Sequence, residues 1–477
     1  MSNSEAPVGS KRKSRVSDKD TPSTNHVKRH PVPVKEPVMA ELAPECAAGI
    51  IVKFRDVTAA AYRTKSGIQK TPLVKSEALS AILGCELYLK KEYELRTGSF
   101  KERGARNALL KLTDEERKKG VIAASAGNHA LALAYHGGLL DVTVTVVMPV
   151  VAPIMKISQC QEMKANVIVH GASIAEAKDH AMTIVEKSGQ IYINGYDHPD
   201  IISGQGTIGL EICSQVEDVD AIIVPVGGGG LIAGVAVAAK NMNPDVKIIG
   251  VEAVRCKSFT EALKAGKPVR AATHVSLADG LAVPTVGLNA FVTAQPLVDK
   301  VVTVSEKAIA LAILRLIEIE KAVVEGSGVV GLAALMDGLL PELAGKKVVT
   351  ILCGGNIDTT VLGRCLERGL AADGRLLSFT VVVKDAPGGM NSLTQMLTDS
   401  GASIKDILHE RAWLLEDVFA VRVRCMVETR NSEHTEHVKS MLASNFRHVE
   451  FIGMCDHSTD TRRQSVVARH LDLLQLE

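Results

Sequence analysis

Short runs of β-branched residues alternate with helix-like stretches from about Asp56 to about Arg368. This alternation is typical of parallel sheets covered by helices, so the pattern predicts an α/β fold. The clearest predicted strands are residues 121–124, 142–147, 167–169, 221–226, 246–251 and 348–352. Because ligands of open α/β sheets bind beyond the carboxyl ends of the strands, we expect the chemistry in the loops that follow them.

The pattern changes after Arg368, where a compact C-terminal unit begins, for which we expect the bounds 377–453. Its order predicts a βαββαβ sandwich. The predicted elements are a strand at 378–384, a turn at 385–389, a helix at 390–400, paired strands at 404–411 and 418–427, a second helix, and a last strand near 449–452.

The two ends of the chain are expected to be tails. Residues 1–45 contain six of the 17 prolines, no aromatic residue and short basic clusters, which favours a disordered, solvated segment. Such clusters also occur in nuclear-localisation and nucleic-acid-binding segments, although they are motifs of low specificity. Residues 454–477 are expected to form a C-terminal tail.

Composition narrows the class of partner. A net charge of +1 gathers neither nucleic acid nor an anionic membrane, so we expect a small-molecule substrate, no nucleic acid and no membrane. The uncharged stretch 221–239 is interrupted by Pro225 and glycines, which favours a strand, a loop and a helix over a membrane span. The chain has nine cysteines and no CxxC pair, which predicts reduced thiols. The first residues lack the apolar core of a signal peptide, so we expect a cytoplasmic protein.

Two loops present polar groups next to predicted helices. In segment 99–104 (SFKERG), Lys101 precedes a predicted helix at 105–112, where a cation opposes the helix dipole. Taken alone, a surface lysine is the simpler interpretation. Segment 125–129 (SAGNH) opens an alanine-rich helix whose free N–H groups suit a carboxylate, but its serine and asparagine are also ordinary N-cap residues.

Two further loops are rich in glycine. The four glycines at 227–230 let consecutive N–H groups close around a phosphate. A dinucleotide site is the rival interpretation, because Glu252 ends the next strand, but no register of residues 227–234 gives G-x-G-x-x-G. Segment 353–356 (CGGN) alone would be a glycine turn with a half-buried thiol.

Together, these segments resemble the fold-type II (tryptophan synthase β-like) pyridoxal-phosphate enzymes, specifically the threonine/serine dehydratase and serine racemase group. The resemblance covers about Asp56 to Arg368 and implies two open, twisted parallel-sheet subdomains. It implies a catalytic domain at 46–370 with a smaller subdomain at roughly 90–195. The motifs that carry it are SFKERGA, SAGNHA, YDHP at 196–199, GQGT at 204–207, the tetraglycine loop and CGGN.

The resemblance implies a set of site residues, with pyridoxal 5'-phosphate as the cofactor. Lys101 is the catalytic residue and carries the cofactor as a Schiff base. The other cofactor-binding positions are Phe100 against the ring, Asn128 at the ring hydroxyl, Cys353 at the pyridine nitrogen, and Gly227, Gly228, Gly229, Gly230 and Leu231 at the phosphate. The expected substrate-binding positions are Ser125, Gly127, Asn128 and His129, at the helix start that receives the carboxylate.

Two acidic residues leave alternatives open. Relatives often bind a divalent cation through a glutamate that matches Glu252 and an acidic residue a few positions on. In this chain the second position is near Ser258, so a divalent or monovalent cation at Glu252 is one alternative and no cation is the other. Glu325 is expected either near the cofactor ring or as a helix-end carboxylate.

The C-terminal unit resembles an ACT regulatory domain. Its turn carries Pro387, Gly388 and Gly389, where that family binds amino acids, so we expect an amino-acid or nucleotide effector there. Such domains commonly pair across subunits, which implies a homodimer or homotetramer. The alternative is a dimerisation module without any ligand.

The implied reaction is dehydration and deamination of L-threonine, L-serine or both to 2-oxobutanoate or pyruvate plus ammonia. Serine racemase is the nearest alternative. Racemisation needs a second acid/base group on the opposite face of the substrate, where racemases of this group carry a serine and this chain has Ala126. A non-catalytic amino-acid sensor would not need Lys101, and a β-replacement enzyme usually lacks the histidine that matches His129.

Overall fold

A computed structural model describes residues 42–412 and 418–452 of the chain, so most of both predicted tails lies outside the described residues. The strands in chain order are β1 Leu73–Lys75, β2 Glu86–Lys91, β3 Val121–Ala124, β4 Val144–Met148, β5 Asn166–Val169, β6 Ile191–Tyr192, β7 Ala221–Pro225, β8 Lys247–Ala253, β9 Lys300–Val304, β10 Lys347–Leu352, β11 Leu376–Lys384, β12 Ser403–Glu410, β13 Ala420–Glu428 and β14 Val449–Ile452.

The helices follow in the same way. They are α1 Phe54–Thr64, α2 Glu77–Leu83, α3 Lys101–Leu110, α4 Asp114–Lys119, α5 Asn128–Leu139, α6 Ile154–Glu162, α7 Ile174–Ser188, α8 Pro199–Gln215, α9 Gly230–Met242, α10 Ser258–Ala265, α11 Leu288–Ala294, α12 Glu306–Arg315, α13 Gly326–Met336, α14 Thr359–Ala372, α15 Gly389–Ser400 and α16 Ser432–Asn445.

Two parallel sheets carry the first part of the chain, which confirms the predicted α/β class. Within the described residues, the larger sheet has the order β1-β2-β10-β7-β8-β9, and all its pairs are parallel except β1 with β2. The smaller sheet has the order β5-β4-β3-β6 and is parallel throughout. Every residue of β4 and β7 is buried, as expected for strands covered by helices on both faces.

The stretch 221–239 forms β7, the glycine loop and part of α9, as predicted. Among the residues that the structure describes, no helix is long and apolar enough to cross a membrane.

The C-terminal unit has the predicted βαββαβ order, with elements β11, α15, β12, β13, α16 and β14. Its sheet has the order β12-β13-β11-β14, and each pair is antiparallel. Alternate residues of β11, among them Phe379 and Val381, are buried against Leu393 and Leu397 of α15. This alternation is the period-2 pattern of a sheet with helices on one face.

Four alternating charges join the C-terminal unit to the catalytic part. Arg315 pairs with Glu318 at 2.7 Å and with Asp373, while Arg375 pairs with Asp373 at 2.8 Å and with Glu318. The pairs form a closed ring that includes Glu318 of a π-helical turn, Leu316–Glu320, which follows α12. The ring therefore links the start of β11 to a turn that lies shortly before Glu325.

Candidate active site

Helix α3 begins at Lys101 itself, so the prediction of a helix at 105–112 was wrong at its start. Gly104 was interpreted as part of a loop, but it lies within the helix. A Cβ atom added to Gly204 of α8 would lie 2.6 Å from the Gly104 Cα atom, so the glycines allow α3 and α8 to pack closely. The start of the helix is fixed by Phe100, whose N–H group donates to the Cys353 carbonyl oxygen at 3.0 Å.

The Lys101 ammonium group occupies a desolvated position. Its Nζ atom donates to the Gly195 carbonyl oxygen at 2.6 Å and lies 5.0 Å from the centroid of the Phe100 ring. Burial lowers the pKa of Lys101 to about 8, against the opposing effects of Cys353 and Glu325. An amine with such a pKa exchanges protons readily near neutral pH.

Helix α3 is anchored by buried ion pairs behind Lys101. The Arg103 guanidinium contacts Glu92 at 2.7 Å and Glu211 at 2.6 Å, and Lys90 contacts Glu211 at 2.6 Å. Arg103, Lys90 and Glu92 are fully buried. Loss of one partner from such a network typically costs about 3–5 kcal/mol, because it leaves a buried charge unpaired.

The tetraglycine loop joins β7 to α9 and packs so closely against Tyr196 that side chains on Gly228 and Gly230 would clash with it. A Cβ atom on Gly228 would lie 2.3 Å from the Tyr196 ring, and one on Gly230 would lie 2.2 Å from the Tyr196 carbonyl oxygen. Gly229 has a φ of +91°, which favours glycine. Because no described side chain caps α9, its first N–H groups remain available for a phosphate, next to the buried Leu231.

A second helix start, that of α5, follows β3. Among the described atoms, none would lie within 4 Å of a Cβ atom on Gly127, and the Ser125 hydroxyl accepts a bond from the Gly127 N–H group at 3.3 Å. No described side chain caps α5. Its N–H groups are therefore suited to a carboxylate, as the sequence pattern indicated.

His129 lies on the same helix start as a neutral imidazole. Its Nε2 atom is 3.0 Å from the Ile193 carbonyl oxygen, and a Cβ atom on Gly195 would lie 2.8 Å from its ring. Burial, with a smaller effect from Lys101, lowers the pKa of His129 to about 3. A carbonyl only accepts, so Nε2 carries the hydrogen, and the backbone amides of α5 rather than a charged imidazole would bind a carboxylate.

Glu325 is both a helix-end residue and a site residue. It is the N-cap of α13, and its Oε1 atom accepts a hydrogen bond from Asn128 Nδ2 at 2.8 Å. Burial raises the pKa of the Glu325 carboxyl to about 7. Cys353 is buried rather than half-buried, and its thiol donates to the Ser327 carbonyl oxygen at 3.6 Å. Burial raises the pKa of this thiol well above the ordinary value, so the group is neutral.

Glu252 has protein partners. Its carboxylate accepts bonds from the Phe259 N–H group at 2.7 Å, the Thr260 N–H group at 2.9 Å and the Thr260 hydroxyl at 2.6 Å, and so it holds the start of α10 near Ser258. Within the described ranges, no group of three or more His, Cys, Asp or Glu side chains is arranged to hold a metal ion. A cation at Glu252 stays a prediction.

The expected effector turn lies between β11 and α15. Gly388 has a φ of +93°, and a Cβ atom on Gly389 would lie 2.0 Å from the Lys384 carbonyl oxygen. Both positions after Pro387 therefore require glycine for the turn itself, and a ligand there stays a prediction.

The structure places segment 353–356 against Phe100 and Asn128, through the bonds from Phe100 to Cys353 and from Asn356 to Asn128, and places the glycine loop 227–230 against Tyr196. It also adds Gly195, Tyr196 and Asn356, to which the sequence assigned no role. Gly195 acts through its carbonyl oxygen, which has no signature in the sequence.

A fold-type II arrangement with a partly buried lysine and an uncapped glycine helix start defines a class of cofactor enzymes. The chain belongs to the family of pyridoxal-phosphate dependent enzymes, which residues 64–354 match.

The relatives have closely related names. The chain is 39% identical to L-threonine ammonia-lyase of Thermotoga maritima over 403 residues, which cover 84% of this chain and 100% of the relative. It is 42% identical to the catabolic L-threonine dehydratase TdcB of Escherichia coli over 308 residues, which cover 64% of this chain and 94% of that relative.

Solved structures show the same similarity. The processed form of threonine deaminase isoform 2 from Solanum lycopersicum has a TM-score of 0.64 at 35% identity, covering 71% of this chain and 98% of that one. Serine racemase from Dictyostelium discoideum has a TM-score of 0.61 at 36% identity, and the similarity covers 64% of this chain and 99% of that one.

Proposed function

We propose that this chain is a pyridoxal-phosphate dependent ammonia-lyase that converts L-threonine, L-serine or both to 2-oxobutanoate or pyruvate plus ammonia. The observation that carries the proposal is the Lys101 amine, held by the Gly195 carbonyl oxygen at 2.6 Å, at a site with two uncapped helix starts. The names of the relatives supply the substrate class.

The residues present fit the cofactor. The glycine loop with Leu231 would hold the phosphate, Phe100 would pack against the ring, and Asn128 and the neutral Cys353 thiol would face its polar atoms. When bound through Lys101, pyridoxal phosphate supplies an electron sink for negative charge at the substrate α-carbon.

The protein groups then have separate tasks. The N–H groups of α5 bind the substrate carboxylate and fix the direction of the α-hydrogen. The free amine of Lys101, kept out of bulk water, accepts that proton. The β-hydroxyl takes up a proton from a general acid, for which the cofactor phosphate would serve, and leaves as water. The neutral Cys353 thiol places no full charge beside the ring, which favours rapid loss of the hydroxyl over a long-lived carbanion.

Regulation, assembly and location belong to the same proposal. The βαββαβ unit would act as an ACT-type domain that binds an amino acid or nucleotide at Pro387, Gly388 and Gly389, in a homodimer or homotetramer. Effector screens of the intact protein test this part, and a complete lack of response in activity and assembly would contradict it. The odd number of cysteines supports action in the cytoplasm.

Product analysis tests the reaction. The purified protein with cofactor is incubated separately with L-threonine and L-serine, and keto acid, ammonia and the D-amino acid are measured together. We expect keto acid and ammonia in equal amounts and little D-amino acid. Predominant D-serine would favour serine racemase, the alternative that the Dictyostelium structure represents, and the absence of any product would contradict both functions.

A further inference from the structure

The amide of Asn356 has a fixed orientation. Its Nδ2 atom lies 2.7 Å from the Thr97 carbonyl oxygen and 2.8 Å from Asn128 Oδ1. A backbone carbonyl only accepts hydrogen bonds, so the NH₂ end of Asn356 must face Thr97. The second hydrogen of the same NH₂ group then points to Asn128.

This orientation fixes the next amide in the chain of hydrogen bonds. The end of Asn128 that faces Asn356 must be its oxygen, so its NH₂ group is turned the other way, to Glu325 Oε1 at 2.8 Å. One hydrogen of that NH₂ group remains for another acceptor. Hydrogen bonds are thus donated in one direction, from Asn356 to Asn128 and from Asn128 to Glu325, although these residues are far apart in the sequence.

Two glycines leave the space that these side chains occupy. A Cβ atom on Gly98, which has a φ of +73°, would lie 2.5 Å from Asn356 Oδ1. A Cβ atom on Gly354 would lie 2.5 Å from Glu325 Oε1 and 3.1 Å from Asn128 Nδ2. The packing around the amides therefore depends on glycine on both sides.

We propose that Asn356 is a positioning residue that holds the Asn128 amide with its NH₂ group toward the cofactor ring oxygen. The inference rests on the proposed function, because it gives the remaining hydrogen of Asn128 an acceptor on the cofactor. An NH₂ group at this place favours the ionised form of the ring oxygen, whereas the amide oxygen would oppose it.

Asn356→Asp reverses this direction with almost no change in size. Above the pKa of the new carboxyl, the side chain at residue 356 has no hydrogen to donate and repels the Asn128 oxygen, so the Asn128 amide turns and presents its oxygen to the ring. In the holoenzyme, we expect the pH midpoint of the change in the cofactor's visible spectrum to rise by roughly one unit, and cofactor affinity to fall about tenfold.

A double-mutant cycle separates positioning from structural support. Asn128→Leu alone should raise the same midpoint, and Asn356→Asp added to it should cause no further rise, since no amide is left to orient. Additive shifts would overturn the inference, as would an unchanged midpoint in Asn356→Asp.

A folding control completes the test. Asn445→Asp makes the same exchange at an exposed helix end, where the amide donates to the Met441 carbonyl oxygen at 2.9 Å. It should leave the midpoint unchanged.

A second pair of variants serves if Asn356→Asp fails to fold. Asn356→Gln keeps a donor and is expected to shift the midpoint by less than Asn356→Leu does. Equal shifts would contradict the proposal. Failure of the unmutated protein to bind cofactor would instead contradict the proposed function.

Discussion

Lys101 and Gly195 are joined by a hydrogen bond of 2.6 Å between Nζ and the backbone carbonyl oxygen. The carbonyl belongs to a residue without a side chain, and a Cβ atom there would lie 2.8 Å from the His129 ring. The position of the amine thus depends on close packing between Gly195 and His129. Any substitution that displaces residue 195 should move the acceptor of Lys101.

Gly195→Ala tests this dependence. The added methyl group must displace the backbone or the buried His129 ring, so we expect kcat/KM to fall about tenfold or more. Steady-state kinetics with L-threonine measure the effect. Gly363→Ala is the matched control, because a Cβ atom there meets no described atom within 4 Å. Equal kinetics of Gly195→Ala and Gly363→Ala would show that the contact is unimportant.

Ala126→Ser should introduce racemisation. The residue after Ser125 has a methyl group, which neither gives nor takes a proton, so the unmutated protein has no acid/base group at this position. A serine there supplies a hydroxyl with little added volume. Chiral chromatography of L-serine reactions should detect D-serine with the variant and little with the parent, and efficient racemisation by the parent would refute the argument.

Glu252 should make stability depend on pH. Burial raises the pKa of its carboxyl from 4.5 to about 7 in the folded protein. Between pH 4.5 and 7 the folded state keeps a proton that the unfolded state loses, so the free energy of unfolding falls as pH rises through this window.

Glu252→Gln should remove up to about 3 kcal/mol of this pH dependence. Urea denaturation of the cofactor-free protein at several pH values measures it. Glu325, with a pKa also raised to about 7, should keep part of the slope. A variant whose slope equals that of the parent would show that Glu252 is ionised in the folded state.

Glu318→Gln should loosen the connection between the two parts of the chain. The substitution opens the ring of ion pairs by removing the charge that contacts Arg315 and Arg375. The residues are partly exposed, so the expected cost is about 1 kcal/mol or less and decreases at high salt.

Hydrogen exchange of β11 at low and high salt measures this loss of protection. Glu436→Gln removes an exposed pair with Lys439 and serves as the control with unchanged exchange of β11. Identical exchange in the two variants at low salt would contradict a role for the ring.

Much of the fold follows from local pattern, and what was missed has a physical cause. The largely buried strands β3, β7 and β10 were predicted to within a residue of their observed bounds. Strand β2 was missed because Glu86, Lys90 and Lys91 give it a polar composition. Lys90 is nevertheless fully buried, since it pairs with Glu211, a residue distant in the sequence.

In the candidate active site, too, some features were predicted from the sequence and others were missed. Motifs predicted which loops meet, because glycines and a helix start are visible in sequence. The hydrogen bonds of Asn356 and the acceptor of Lys101 were missed, because their partners are the backbone carbonyls of Thr97 and Gly195, and a carbonyl is the same in every residue.

Lys101 is proposed to hold the cofactor and to carry out proton transfer. The most direct measurement compares Lys101→Ala with Lys264→Ala, which changes an exposed lysine paired with Glu261. Visible absorbance of the protein-bound cofactor and keto acid release from L-threonine are recorded on the same samples. Lys101→Ala is expected to lose both the lysine-linked absorbance and turnover, while Lys264→Ala keeps both. Keto acid release by Lys101→Ala at the rate of the unmutated protein would contradict it.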